Sequence, residues 1–240
     1  MAMDQQAAME RLRELYQEKN EHLETFLEAV TPFEFYREIF PVGSFERKGH
    51  FEDEKGNGIA VTVPPKAAGI ALEIKEEGKA KRYTITDELS ELSEVYNTDF
   101  TIMSPLSYFG RRRCGKNARY LYALVFDLDG VGMPQLRDTL HQMNKDILPQ
   151  ATFVVNSGTG LHLYYVLDEP IPMYPHNQKC LKELKYSLTR QIWNRYTSTI
   201  KEPQMQGILQ GFRVVGSGSK LGREYPVTAY RLCLLYTSDA

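Results

Sequence analysis

Cysteine, tryptophan, long apolar runs and net charge are all scarce in this chain. Its three cysteines, Cys114, Cys180 and Cys233, stand far apart, so neither a disulfide framework nor a zinc-ligand spacing is readable. A reducing, cytoplasmic setting is expected. No apolar run is long enough to cross a bilayer and no signal-peptide pattern is read, so no membrane partner is expected. A formal net charge of -2 rules out a polybasic surface over the whole molecule. Neither an internal repeat nor a low-complexity linker interrupts the 240 residues. Charge is instead uneven locally. The first thirty residues are acidic, whereas 111–119 holds five cations and no acid.

What is present centres on residues 123–130, Ala-Leu-Val-Phe-Asp-Leu-Asp-Gly. A strand alternates faces with a period of two, which turns Leu124, Phe126 and Leu128 one way and Asp127 and Asp129 the other. Two carboxylates that close repel each other. A divalent cation relieves the repulsion, and oxygen ligands suit Mg2+ or Mn2+. The plainer reading is a strand that ends in an ordinary Asp-Gly turn.

Upstream, residues 4–30 read as a helix with Leu12, Leu15, Tyr16, Leu23, Phe26, Leu27 and Val30 on one stripe. Thr31-Pro32-Phe33-Glu34 is a capping box with proline at the first helical position. Strands are predicted at 59–63, 70–74, 82–86 and 99–103, with a short helix at 87–96. From residue 120 the order is strand, helix opened by Pro134, hairpin (151–156 and 161–167), helix (about 177–199) and two strands near 212–215 and 227–231. That order predicts a mostly antiparallel sheet with helices on one face. The other face would be free to hold a site.

Two further segments could carry chemistry. In Ser157-Gly158-Thr159-Gly160-Leu161-His162, the glycines allow close backbone approach to phosphate and turn N–H groups can cradle it. His162 shares a strand face with Tyr164. A lone histidine there is otherwise a sheet residue satisfied by a neighbour. In 210–220, Arg213 lies on a strand and Lys220 beyond a glycine-serine loop. Both could contact triphosphate or template backbone, or be solvated cations of a surface hairpin.

Asp127-Leu128-Asp129, the Ser157-to-His162 segment, and Phe212-Arg213-Val214-Val215-Gly216-Ser217 with Lys220 resemble the archaeo-eukaryotic primase superfamily. The likeness is to the primase-polymerases of mobile genetic elements, over residues 100–231. It implies an α+β, primase-polymerase-like fold: an RRM-like, mostly antiparallel sheet preceded by an N-terminal α/β part. The implied division is N-terminal helices at 1–43, an N-terminal α/β subdomain at 44–110 and an RRM-like catalytic subdomain at 111–232. It implies nucleotidyl transfer that makes primers on single-stranded DNA from nucleoside triphosphates. Asp127 and Asp129 would hold a two-metal Mg2+ or Mn2+ site. His162, Ser157, Gly158 and Gly160 would bind the triphosphate. Arg213 and Lys220 would neutralise developing charge. Arg111, Arg112, Arg113 and Lys116 would track the template. A helicase, in cis or in trans, is a further implied partner.

The sequence departs from that pattern at one point. The family supplies a third acid between the long helix and the Arg213-like position, where this chain has Glu202-Pro203-Gln204-Met205-Gln206-Gly207-Ile208-Leu209-Gln210. Either Gln206 or Gln210 stands in the acid's place, or Glu202 reaches in, or the site is weakened. A replication or origin-binding protein of the same fold, with little or no catalysis, is therefore the alternative. A haloacid-dehalogenase-type phosphatase is a third, with Asp127 as nucleophile and Asp129 as general acid/base. Residues 233–240 resemble a translated sequencing-adapter end, so the natural chain is expected to continue differently after Leu232.

Overall fold

The computed structural model describes residues 2–46, 51–52, 58–59, 67–75, 79–110 and 112–232. Arg111, residues 60–63 of the strand predicted at 59–63 and the tail at 233–240 lie outside the described residues. The elements are α1 (Ala2–Phe26), β1 (Glu28–Val30), α2 (Pro32–Ile39), β2 (Phe51–Glu52), β3 (Gly58–Ile59), β4 (Gly69–Ile74), β5 (Ala80–Ile85), α3 (Leu92–Val95), β6 (Thr101–Met103) and β7 (Leu106–Tyr108). They continue with β8 (Ala118–Leu128), α4 (Met133–Asn144), β9 (Phe153–Asn156), β10 (Leu161–Pro172), α5 (Pro175–Ile192), β11 (Phe212–Arg213), β12 (Gly218–Ser219), β13 (Gly222–Pro226) and β14 (Thr228–Arg231). Among the described residues no helix is long and apolar enough to cross a membrane.

Strands from both ends of the chain build the main sheet, in the order β1-β14-β9-β10-β8-β7. A second sheet runs β11-β6-β4-β5. Every pairing among the described residues is antiparallel. The parallel sheet that the phosphatase reading requires is therefore not the one formed. The molecule is a mixed α+β fold. β1 and β7 join the same sheet as β8–β10, while β11 joins the sheet of β4–β6. Residues on both sides of positions 43 and 110 thus share sheets.

Both faces of the main sheet are buried, which explains the near-continuous apolar run of β8. Leu124, Phe126, Leu128, Val154, Leu161 and Leu163 pack with Leu23 of α1, Leu136 and Met143 of α4 and Leu181 of α5. Ala123, Val125, Phe153, Val155 and Tyr164 pack with Phe35, Tyr36 and Ile39 of α2 and with Ala71, Met103 and Phe212 of the second sheet. The second face is thus not free, contrary to expectation, because α2 and the second sheet cover most of it.

Phe35 anchors this layer. It is fully buried and meets Phe153 edge-on at 4.9 Å and Tyr164 at 5.0 Å. Its truncation to alanine should cost about 3–5 kcal/mol in chemical denaturation.

Two local details follow from chemistry readable in the sequence. The Thr31 capping box forms, with the Glu34 amide donating to Thr31 Oγ1 and the Thr31 amide donating to Glu34 Oε2. The N-terminal helix, however, ends at Phe26 instead of 30. Residues 28–30 pair with β14, and Arg231 forms ion pairs with Glu28 and Glu38. Extended backbone at Thr31 is also what its capping role requires.

Candidate active site

β8 and β10 pair in a register that sets Asp127 opposite His162. The Asp127 amide donates to Gln206 Oε1 at 3.3 Å, and the Asp127 carbonyl accepts from Gln206 Nε2 at 3.4 Å. Both backbone groups therefore point away from β10, so Asp127 and His162 form a non-hydrogen-bonded cross-strand pair, the kind whose side chains lie closer. His162 Nε2 stands 3.5 Å from Asp127 Oδ1, at the outer limit of a hydrogen bond. Asp127 keeps 29% of its side-chain surface, whereas His162 is 3% exposed and packs edge-on against Phe212 at 5.5 Å. Its Nδ1 is buried without a hydrogen-bond partner. Burial pulls the imidazole below its ordinary range. Asp127 and Asp129 push it up, and Arg213 and Lys220 push it down. Those four charges are the ones the sequence singled out, and all of them act on this ring.

The end of β8 is fastened from two sides. Ser198 Oγ donates to the Asp129 carbonyl at 2.6 Å, and the Thr199 amide and hydroxyl both donate to the Gly130 carbonyl at 3.0 Å. On the other side lies the 157–160 turn. A Cβ on Gly160 would stand 2.5 Å from the Leu128 carbonyl oxygen, so this glycine is required by the approach of the protein's own backbone. Gly158 has φ +106 and faces Ser219 of the second glycine-serine loop. Ser157 and Ser219 are buried. Contact of Ser157 or His162 with phosphate was expected, but both side chains lie beneath the surface. Arg213 donates to the Gly218 carbonyl at 3.1 Å and stacks over Phe100 at 4.2 Å, and Lys220 is exposed.

Beneath the first turn runs α1. Lys19, fully buried, donates to the Gly158 carbonyl at 2.9 Å, while Asn156 Nδ2 donates to the Tyr16 carbonyl and to Asn20 Oδ1. Burial pulls the Lys19 ammonium down to about 8.

β7 pairs with β8 only from Ala118 to Leu121, so among the described residues the upper edge of β8 on that side has no strand neighbour. Gln206 takes the place of one. Directly behind it, Lys185 of α5 donates to the Gly207 carbonyl at 3.2 Å. Its ammonium lies 5.2 Å from the Phe212 ring and 5.9 Å from the Phe126 ring. Lys185 is 2% exposed. Burial lowers it to about 8, against an upward push from Asp127. The sequence reading missed Lys185, although it follows Leu181 by four residues on the buried stripe of α5 and a lysine there was a signal. Glu202 and Gln210 are exposed.

Two carboxylates at a strand end suit one Mg2+, which ordinarily takes one or two carboxylates and completes its shell with water and phosphate. Among the described residues no group of three or more His, Cys, Asp or Glu could hold a metal. An amide and an ammonium occupy the β8 edge instead.

The basic segment divides. Arg112 and Lys116 are exposed. Arg113 is turned inward, donating to Ser104 Oγ at 2.9 Å and to the Leu209 carbonyl at 3.4 Å, where it braces the strip that carries Gln206.

No protein-family model matches the chain, and no curated protein matches it. Among solved structures it is similar to the AEP domain of the primase-polymerase (PrimPol) of cyanophage S-2L. The TM-score is 0.48 and the identity 12%, covering 70% of this chain and 81% of that one. A likeness of that depth assigns no residue a role.

Proposed function

We propose that this chain is a primase-polymerase that transfers nucleotides onto primers on a single-stranded DNA template, with a divalent ion held by Asp127 and Asp129. The observation that carries the reading is the gathering of two carboxylates, His162, Arg213 and Lys220 at one end of the β8–β10 pair. Mg2+ or Mn2+ bound there would acidify an attacking hydroxyl and offset phosphate charge.

The chain's own residues would do the rest. His162, buried and kept neutral, orients the Asp127 carboxylate from behind. Lys220 meets the triphosphate from the solvent side. Arg213, fixed on Phe100 and Gly218, supplies a charge that needs no reorganisation. The turns at 157–160 and 216–220 form the phosphate-side wall. Arg112 and Lys116 bind template backbone.

Purified full chain, given single-stranded template, nucleoside triphosphates and Mg2+ or Mn2+, should make primers. Asp127→Ala and Asp129→Ala should stop synthesis and spare DNA binding. That no group of three or more possible metal ligands stands among the described residues favours a second reading, a replication protein that binds DNA without synthesis. Retained DNA binding with no product from the wild-type chain would select it.

A further inference from the structure

We propose that Lys185 is a fixed cation of this site, whose charge opposes a second divalent ion, so that the chain binds only one. This rests on the nucleotidyl-transfer reading for its mechanistic meaning, but not for its electrostatics.

Four observations carry it. Lys185 reaches the β8 edge from α5 and ends at Gly207, next to the glutamine that holds the Asp127 backbone. Its surroundings are two aromatic rings and one carbonyl, with the Asp127 carboxylate close enough to act on its charge. Among the described residues no group of three or more His, Cys, Asp or Glu could hold a metal, so a second ion beside Asp127 and Asp129 would gain no third protein ligand. Finally, the lysine remains cationic at neutral pH, because burial lowers it no further than about 8. A fixed cation in a water-poor pocket stabilises developing negative charge without reorganising.

A lysine that merely fills the core and a lysine that supplies charge give opposite results in one titration. Mn2+ binding to the full chain, read by the EPR signal of free Mn2+, should saturate at one ion per chain. In Lys185→Met the stem volume is kept and the charge removed. Mn2+ should then bind about threefold to tenfold tighter, because a nearby positive charge has gone. Primer synthesis should fall by about a hundredfold. If the methionine variant does not fold, as judged by its melting curve, Lys185→Gln is read in the same way.

Two ions per wild-type chain, or unchanged Mn2+ affinity in a folded variant, would overturn the assignment and leave the nucleotidyl-transfer reading standing. Tighter Mn2+ binding in the variant, together with a wild-type chain that makes no primers, would remove that reading and keep the assignment of charge.

Discussion

Lys19 and Lys185 are two ammonium groups in nearly the same physical situation. Each is buried, each donates to the carbonyl of a glycine, and burial pulls each down to about 8. Their neighbours differ. Asp127 acts on Lys185, whereas burial alone shifts Lys19. Lys19 lies under the turn that closes one side of the site, and Lys185 lies behind the glutamine that holds the Asp127 backbone. A buried cation costs stability in either place. At Lys19 the return is a fixed turn; at Lys185 it is a fixed field.

The largest test of that contrast is Asp127→Asn. Divalent-ion binding and primer synthesis should both go, synthesis by about a thousandfold, the equivalent of several kcal/mol of charge stabilisation. With the carboxylate gone, the titration midpoint of Lys185 should drop further and that of Lys19 should stay. NMR of 13C-labelled lysine side chains reads both in one experiment, and equal shifts would break the distinction.

Next is the pH dependence of stability. An unfolded lysine titrates near 10.4, so between about pH 8 and that value the unfolded chain holds more protons than the folded one. Stability should rise with pH through this window, by roughly 3 kcal/mol for each lysine. Buried tyrosines such as Tyr36 and Tyr164, pushed up by burial, reverse the trend above about pH 10. Chemical denaturation between pH 7.5 and 9.5 should therefore show the rise, and Lys19→Met should flatten about half of it while leaving Mn2+ affinity unchanged.

Gly160→Ala comes third. Its Cβ would collide with the Leu128 carbonyl, so the turn above Lys19 must shift, at about 1–3 kcal/mol. The melting midpoint should fall and the apparent KM for nucleotide should rise. The smallest effect belongs to the basic segment. Arg112→Ala and Lys116→Ala should each reduce the salt slope of DNA binding by about one unit without changing stability. Arg113→Ala should do the reverse, lowering the melting midpoint and sparing the slope.

The two lysines also mark the limit of what could be read from sequence. Alternation along 123–129 made β8 legible and the turn signal at 157–160 made the β9–β10 hairpin legible, whereas the pairing of β8 with β10, which brings Asp127 to His162, carried no local signal. The capping box at Thr31 was legible because its partners lie three residues apart. Lys19 and Lys185 were passed over, since a lysine on a helix is ordinarily solvated, although each stands four residues from a buried leucine, Leu23 and Leu181, on the apolar stripe of its helix. The pairing of β1 with β14 joins residues about two hundred positions apart, a distance over which no local pattern carries information. The glycines of the 157–160 turn were read as room for phosphate, whereas Gly160 is occupied by backbone.

Gln206 holds the edge of β8 with one side chain, giving and accepting one hydrogen bond as a neighbouring strand would. Glutamine and glutamate codons differ by a single base. A carboxylate there could still accept from the Asp127 amide, but it could not donate to the Asp127 carbonyl. The substitution Gln206→Glu, which would add an acid beside Asp127, is therefore the same one that loosens the strip carrying it. A variant gaining that acid would need its compensating hydrogen bond elsewhere in residues 201–211.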